Sequence, residues 1–182
     1  PDPGPSFWLP ISVPGHRNRE PVRSVSARVA AMRVPAGYSG TPLPTKLGIK
    51  EGHAVALLRA PTGFDATLGD LPAGVTVRTR GQGTNAVIVT FHTERRDFEA
   101  TLPRASKAMD VDGGLWVAWP KKASKVPTDM TEDVVREVCL PLGLVDNKVC
   151  AIDDTWSGLR VVWRKELRAE RRAERERGTG CP

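Results

Sequence analysis

The sequence lacks long apolar runs. No stretch of about 18 consecutive apolar residues occurs, although a membrane-spanning helix needs roughly that length. The apolar core of a secretory signal is also missing from the N-terminal residues. The hydrophobic share of 40% and the charged share of 26% are those of a globular domain. We therefore expect a cytoplasmic globular protein with no membrane partner.

Cysteine and histidine are both scarce. The three cysteines, Cys139, Cys150 and Cys181, include no C-x-x-C pair, which argues against a disulfide framework and against a zinc site. We expect free thiols, with Cys139 and Cys150 in the core. The three histidines also lack metal-ligand spacing, so we expect no metal site.

Positive charge is distributed unevenly. The net charge is +6 and the isoelectric point is about 9.6, values that taken alone indicate nucleic-acid binding. Residues 1–31 hold four arginines against two acids, and residues 164–182 hold seven basic residues against four glutamates. Most of the excess lies at the two ends, so a compact domain with a nucleic-acid-binding face is not implied.

The first part of the chain, residues 1–35, is predicted to be a disordered extension rich in proline and arginine. Six prolines occur within residues 1–31 without sustained hydrophobic periodicity, so little apolar surface is available to offset the entropy of ordering. Met32 is the first methionine, and one hypothesis is that the natural chain starts there. The ordered domain is predicted to begin between Met32 and Gly40.

Strand and helix patterns alternate along the rest of the chain. Short apolar or β-branched runs predict strands at residues 53–58, 75–80, 85–91, 115–119, 148–152 and 159–163. Wider apolar spacing predicts helices at residues 43–49, 64–68, 93–109 and 128–142. This order predicts a single three-layer, Rossmann-like α/β domain over residues 36–165. Its sheet is expected to be mostly parallel, with about six strands that end in an antiparallel hairpin.

Several helix ends are predicted from single residues. Thr93 is predicted to cap a helix that Pro103 kinks or restarts, and residues 112–114 are predicted to end that unit. The apolar side of this helix is expected to contain Phe98, Leu102, Ala105 and Met109. Asp129, with Glu132 three residues later, fits a capping box for the next helix. A catalytic acid at Asp129 is the alternative.

The last segment, residues 166–182, is predicted to be a charged helical or disordered tail. Arginines and glutamates would lie on opposite sides of a helix there, with the arginine side formed by Arg168, Arg171, Arg172 and Arg175. Two interpretations stay open for this side. It is either solvated, or it docks an acidic partner or RNA.

Five motifs are long enough to compare with known families. The longest is DGGLWVAWPKK, and the set comprises residues 112–122, 38–43 (YSGTPL), 46–49 (KLGI), 128–137 (TDMTEDVVRE) and 143–150 (GLVDNKVC). Together they resemble the bacterial family called domain of unknown function 3052, over roughly residues 36–165. The family's name states no activity, so the resemblance implies a shared domain and no particular reaction.

The order of elements also resembles a class I methyltransferase, whose last strand returns antiparallel. The fold alone carries no function, so the cofactor positions need separate comparison. The turn after the first strand should be glycine-rich, yet residues 59–64 (RAPTGF) contain one glycine. An acid should end the second strand, where Arg78 and Arg80 stand instead. We therefore expect a degenerate site without S-adenosylmethionine or another cofactor.

Polar residues follow each predicted parallel strand, at the edge where open parallel sheets bind ligands. They form a cationic rim with one aromatic residue, namely Arg59, Thr62, Arg80, His92, Trp119, Lys121 and Lys122. Basic side chains suit a phosphate or carboxylate, and an indole suits a planar ring. A structural interpretation is also open, in which the lysines are solvated, Trp119 is core and His92 is structural instead of a general base.

The sequence therefore favours a binding or regulatory protein. The expected partner at the rim is an anionic small molecule or another protein. One alternative is a small enzyme that acts on an anionic substrate, but neither a nucleophile motif nor a pair of carboxylates accompanies His92. The other alternative is nucleic-acid binding through the basic C-terminal helix.

Overall fold

The computed structural model describes residues 40–178, so the predicted extension and Cys181 lie outside the described residues. Within this range the helices are α1 (Leu43–Leu47), α2 (Phe64–Leu68), α3 (Arg95–Ala108), α4 (Glu132–Cys139) and α5 (Lys165–Gly178). The strands are β1 (Ala54–Leu58), β2 (Thr76–Arg78), β3 (Asn85–Phe91), β4 (Met109–Pro120), β5 (Leu144–Ala151) and β6 (Trp156–Trp163). None of these helices has the length and apolar character needed to cross a membrane.

One six-stranded sheet organises the described residues, in the order β2-β1-β3-β4-β6-β5. Neighbouring strands from β2 to β4 are parallel. β6 runs antiparallel to β4, and β5 pairs antiparallel with β6 at the edge of the sheet. The predicted fold class, an α/β Rossmann-like domain that ends in an antiparallel hairpin, is confirmed.

Helices cover both sides of this sheet, because its strands bury side chains on both sides. On the α3 side, α3 and α4 pack on a core that includes Ile88, Leu115 and Leu159. On the α1 side, α1 and α2 pack on Val55, Val89 and Trp116. The indole Nε1 of Trp116 donates to the Leu47 carbonyl at 2.9 Å and so fixes α1 on the sheet. The result is the three-layer arrangement predicted from the sequence.

β4 is longer than the sequence predicts. Met109, expected on the preceding helix, is the first residue of the strand. Residues 112–114, expected to end the helical unit, lie inside it. The pairing with β3 shifts register between Asn85 and Val87. A Cβ at Gly113 would lie 2.7 Å from the Ala86 carbonyl oxygen, so this glycine permits the close approach of the two strands at the irregularity.

The predicted helix caps are wrong in detail. α3 runs unbroken through Pro103, and its N-cap residue is Glu94, not Thr93. Asp129 binds at this end, because its Oδ1 accepts the Arg95 backbone N–H at 2.7 Å. Asp129 therefore caps α3 and not the following helix. α4 is capped by Thr131, whose hydroxyl accepts the Val134 N–H.

The later helical segment is also shorter than predicted. α4 ends at Cys139, and Leu142 follows in a 3₁₀ turn at Leu140–Leu142, where it is exposed. Pro141 explains this end, since proline has no N–H to continue the helix. Cys139 is buried as predicted, whereas Cys150 is half-buried on β5.

The C-terminal helix α5 packs against the domain through its arginine side. Arg172 pairs with Asp112 at 2.5 Å. Arg175 donates to the Met109 carbonyl at 2.7 Å. The guanidinium of Arg171 lies 4.3 Å above the ring of Trp163. These arginines contact β4 and β6, while Arg171 and Arg172 remain 42% and 55% exposed, so this side is partly docked and partly solvated.

Candidate functional site

The connection from β2 to β3 is short for the path it takes. β1 lies between these strands in the sheet, so residues 79–84 must cross β1. Such crossovers usually take about a dozen residues or more, most often with a helix. A Cβ at Gly81 would lie 3.6 Å from Ala108 and 3.9 Å from Leu58, which places the segment on the α3 side. A loop thus occupies the position of a helix, and a groove remains beside α3.

Hydrogen bonds, of which the one to Ala108 is buried, hold this crossing segment, residues 79–84, in place. The Nδ2 atom of Asn85 donates to the carbonyl oxygens of Gln82, Gly83 and Ala108 at 3.2–3.3 Å. Arg78 Nη1 also donates to the Gln82 carbonyl, at 3.0 Å. The segment is tied to the start of β3 and to the last turn of α3. These bonds give the wall of the groove formed by residues 79–84 a defined path.

The groove has a volume of about 570 Å³, within the range of roughly 300–1,000 Å³ that small-molecule sites occupy. It is lined by Leu58, Arg59, Thr79, Arg80, Gly81, Gln82, Ala100, Thr101, Arg104 and Ala105. Aliphatic carbon from Leu58 and Ala105 contributes an apolar part to the lining. Three guanidinium groups contribute the charge.

Arg59 enters the groove from the end of β1 with an uncommon backbone conformation. Its φ angle is +55°, in the left-handed region that residues other than glycine rarely adopt. Its guanidinium Nη2 lies 2.6 Å from Oδ2 of Asp97 in the first turn of α3. Half of the Arg59 side chain, 52%, remains exposed. The group is therefore both held in place and accessible.

Arg80 and Arg104 supply charge that nothing in the described part of the chain neutralises. Both side chains are exposed, and neither forms an ion pair or hydrogen bond with residues 40–178. Arg104 reaches the groove from α3, whereas Arg80 follows β2. Like charges repel, so the gathering of guanidinium groups around one groove favours an anion there.

His92 is near this cluster but is enclosed. Its side chain is 2% exposed, and Nε2 lies 2.8 Å from the Thr90 hydroxyl. Nδ1 has no hydrogen-bond partner among the described residues. Burial and, second, the charge of Arg59 lower the pKa of His92 to about 4, against an opposing effect of Asp97. His92 is thus neutral and shielded from solvent at physiological pH, as in the structural interpretation.

The other predicted rim residues do not line the groove. Trp119 is 8% exposed and belongs to the core on the α3 side. Lys121 donates to the Asp153 carbonyl at 2.5 Å and so binds the β5–β6 loop. Lys122 is exposed in the 3₁₀ turn Lys122–Ser124, and Thr62 is exposed in the turn after β1. Of the predicted set, the structure brings Arg59 and Arg80 to the groove.

Arg104 is the third arginine of the groove, and the sequence did not predict it as a site residue. It lies four residues after Ala100 and three after Thr101, so these three side chains share one side of α3. That side borders the apolar one that begins at Phe98. The periodicity was visible in the sequence, but the crossing segment that makes this side face a groove was not.

Two positions depart from the pattern expected for S-adenosylmethionine, the cofactor that the resemblance to class I methyltransferases implies. The turn after β1 contains a single glycine, Gly63, and the Arg59 side chain at its start is paired with Asp97. Arg80 follows β2, where an acid would bind ribose hydroxyls. Among residues 40–178, no group of three or more His, Cys, Asp or Glu side chains could hold a metal ion.

No family model and no curated protein matches the chain. Among solved structures, the chain is similar to magnesium protoporphyrin IX methyltransferase from Synechocystis with bound S-adenosylmethionine, at 12% identity and a TM-score of 0.48, covering 63% of this chain and 71% of that one. A methyltransferase from Aquifex aeolicus is 16% identical, with a TM-score of 0.41 and coverage of 64% and 85%. A Bacillus subtilis tRNA methyltransferase is 12% identical, with a TM-score of 0.45 and coverage of 72% and 69%. At these sequence identities and TM-scores, the solved structures support no statement about the function of this chain. The fold assignment is supported by the strand order itself.

Proposed function

We propose that this methyltransferase-like α/β domain is a cytoplasmic binding module for an anionic small molecule. The observation that carries the proposal is the convergence of Arg59, Arg80 and Arg104 around one groove of about 570 Å³. Guanidinium groups bind phosphate and carboxylate oxygens through paired N–H donors. Asp97 is the one carboxylate that pairs with these arginines within residues 40–178.

The lining favours an organic anion over a bare inorganic one. Leu58 and Ala105 offer aliphatic surface to an apolar portion of the ligand. Gln82 offers an amide that both donates and accepts hydrogen bonds. The Thr101 hydroxyl donates to the Asp97 carbonyl at 2.8 Å, so its oxygen remains available as an acceptor. The proposed ligand class is therefore an organic phosphate or polycarboxylate with a small apolar part.

Calorimetric titration of the full chain with phenyl phosphate and with citrate tests this proposal. We expect saturable binding of at least one probe. The double variant R80Q/R104Q should weaken it by about 100-fold, because a hydrogen bond to a charged group contributes roughly 1.5–3 kcal/mol. The matched control is R96Q, since Arg96 lies on α3 and pairs with Glu94. Unchanged affinity in the double variant, or equal loss in the control, would reject the groove as the site.

A melting experiment distinguishes this proposal from methyltransferase activity. A ligand at 100 times its Kd adds about 2.7 kcal/mol to the free energy of unfolding and raises Tm by several degrees. S-adenosylmethionine carries a sulfonium cation, which the unpaired Arg80 and Arg104 would repel. We expect no shift with millimolar S-adenosylmethionine. A saturable shift would favour the enzyme instead.

We also propose that the chain is a member of the family called domain of unknown function 3052. The support is the motif at residues 112–122, which forms most of the central strand β4 and the turn after it. A motif with so many buried residues constrains a fold more than a surface motif does. A crystal structure of a family member with a different strand order would contradict this membership.

A further inference from the structure

A second group of basic residues lies on the α1 side of the sheet, across the sheet from α3. Trp116, Arg160 and Lys148 are direct neighbours on β4, β6 and β5. Trp116 belongs to the core on the α1 side, so the pairing places the other two side chains on that side as well. Like charges directly opposite each other in an antiparallel pair are destabilising. The register therefore places two cationic residues side by side on the α1 side of the sheet.

Gly114 makes room for the Arg160 guanidinium against the sheet. A Cβ at position 114 would lie 2.6 Å from both Cζ and Nη2 of Arg160, and closer still to Nε. A side chain of any size would displace the guanidinium. This glycine, the third residue of the DGGLWVAWPKK motif, therefore leaves space for a half-buried cation.

Arg160 has weak partners in this position. Nη2 lies 3.4 Å from the Gly113 carbonyl, and Nη1 lies 3.4 Å from Oδ1 of Asn147, both long for hydrogen bonds. It forms no ion pair with a described residue. Burial, and second the charge of Arg168, lower the pKa of Arg160. Arg160 is therefore a half-buried cation whose N–H donors are only weakly satisfied by protein groups.

The carboxylates on the neighbouring elements are already paired. Asp112 pairs with Arg172 at 2.5 Å and with Arg168 at 3.9 Å. Asp146, on the same strand as Lys148, pairs with Arg136 at 3.1 Å. Neither acid lies within ion-pair distance of Arg160. These carboxylates therefore do not neutralise Arg160.

We propose that Arg160 and Lys148 bind an oxyanion, a carboxylate or phosphate group, at a site separate from the groove. Arg160 presents a planar fork over Gly114, which suits two oxygens of one anion. Lys148 lies 6.0 Å above the Trp116 ring centroid and donates to the Lys46 carbonyl at 2.7 Å. An ammonium group has three donors, so this bond leaves two for the anion.

NMR titration of the full chain with inorganic phosphate and with citrate, at constant ionic strength, tests the proposal. The readout is the Nε–Hε signal of Arg160, assigned by its loss in R160K. We expect a saturable shift with one or both probes, and the tighter probe identifies the preferred group. K148Q should weaken binding at least tenfold. G114A should weaken it further, because its Cβ displaces the guanidinium.

Two comparisons keep the result interpretable. The Nε–Hε signal of Arg164, which is exposed just after β6, reports nonspecific ion effects. R80Q/R104Q should leave the Arg160 titration unchanged. The proposal for this site and the proposal for the groove can therefore be rejected independently of each other. If the Arg160 signal stays fixed, or moves linearly in parallel with that of Arg164, there is no site. Unaltered binding in a folded K148Q variant would also reject it.

Discussion

The guanidinium of Arg59 and the carboxylate of Asp97 lie 2.6 Å apart and connect the end of β1 to the first turn of α3. The positive φ of Arg59 turns its chain away from the strand direction at this point. A backbone conformation of this kind costs about 1–3 kcal/mol and persists where surrounding structure holds it. The ion pair thus positions one arginine of the groove while partly neutralising it. An incoming anion must compete with Asp97 for the same guanidinium.

Removing that competition should strengthen anion binding. We expect D97N to lower the Kd for the groove probe several-fold, because Arg59 would no longer share its charge. Stability should change by no more than about 1 kcal/mol, since the two side chains are 52% and 38% exposed and solvent screens the pair. Calorimetry with phenyl phosphate measures the first effect, and urea unfolding the second. E94Q is the control, because Glu94 pairs with Arg96 away from the groove. Weaker binding by D97N would contradict competition.

Acid should destabilise the protein through His92. Burial lowers the pKa of His92 to about 4, whereas an unfolded histidine titrates near 6.5. Between these values the unfolded state binds the additional proton, so the free energy of unfolding falls as pH decreases from 6.5 to 4. The loss from this group approaches about 3 kcal/mol and levels off below pH 4. Above pH 7 the group has no effect on the slope.

Urea unfolding from pH 4 to pH 8 checks this sign and magnitude. H92Q should flatten the pH dependence between pH 6.5 and pH 4, whatever its effect on stability at pH 8. The control is H53Q, because His53 is half-buried at the surface, where its Nδ1 accepts the Lys50 N–H. A slope in H92Q equal to that of the parent would show that other groups cause the acid sensitivity.

Local sequence patterns predicted the presence of each strand and helix but not most of their ends, since β4, β5 and β6 begin three to six residues before their predicted starts. α2 and β3 have their predicted bounds, since apolar residues and turn glycines decide such elements locally. The cap on α3 comes from Asp129, which is 34 residues from Arg95. No local pattern contains a contact over that distance. Thr131, the cap of α4, was obscured by the competing Asp129–Glu132 spacing.

The candidate site was also predictable only in part, because local patterns identify residues at strand ends but not contacts between distant residues. Arg59 and Arg80 follow parallel strands, and parallel strands place such residues at a common edge. Predicting Arg104 as a groove residue would have required the path of residues 79–84 across β1. That path depends on the order of the strands in the sheet. Lys121 follows a strand as well, but its bond to the Asp153 carbonyl depends on the hairpin loop. Position at the edge of the sheet therefore identified candidate site residues, and tertiary contacts determined which of them line the groove.

The packing of α5 should depend on Gly143, which precedes β5. Its φ is +81°, and a Cβ there would collide with Cδ1 of Leu167 on α5. Gly48 also has a positive φ, +77°, but has nothing within 4 Å of a Cβ. We expect G48A to cost about 1–2 kcal/mol from backbone strain alone. G143A should cost more and should loosen α5.

Hydrogen exchange and urea unfolding together measure these two effects. Amides of α5 should exchange faster in G143A than in G48A, because the collision with Leu167 moves the helix from Trp163 and Asp112. Amides of β3, in the middle of the sheet, should differ only by the global stability change. Equal α5 protection in both variants would mean that Leu167 adapts without moving the helix.

The two adjacent lysines after β4 should differ in their effect on stability. The Lys121 ammonium donates to the Asp153 carbonyl, so K121A should lower the free energy of unfolding by about 1.5 kcal/mol. Lys122 is exposed in a 3₁₀ turn, and K122A should change it by no more than about 0.5 kcal/mol. Urea unfolding at pH 7 measures both, and each variant is the other's control because it removes the same charge from the same loop. Equal destabilisation would show that the charge, and not the bond to the β5–β6 loop, determines the effect of Lys121.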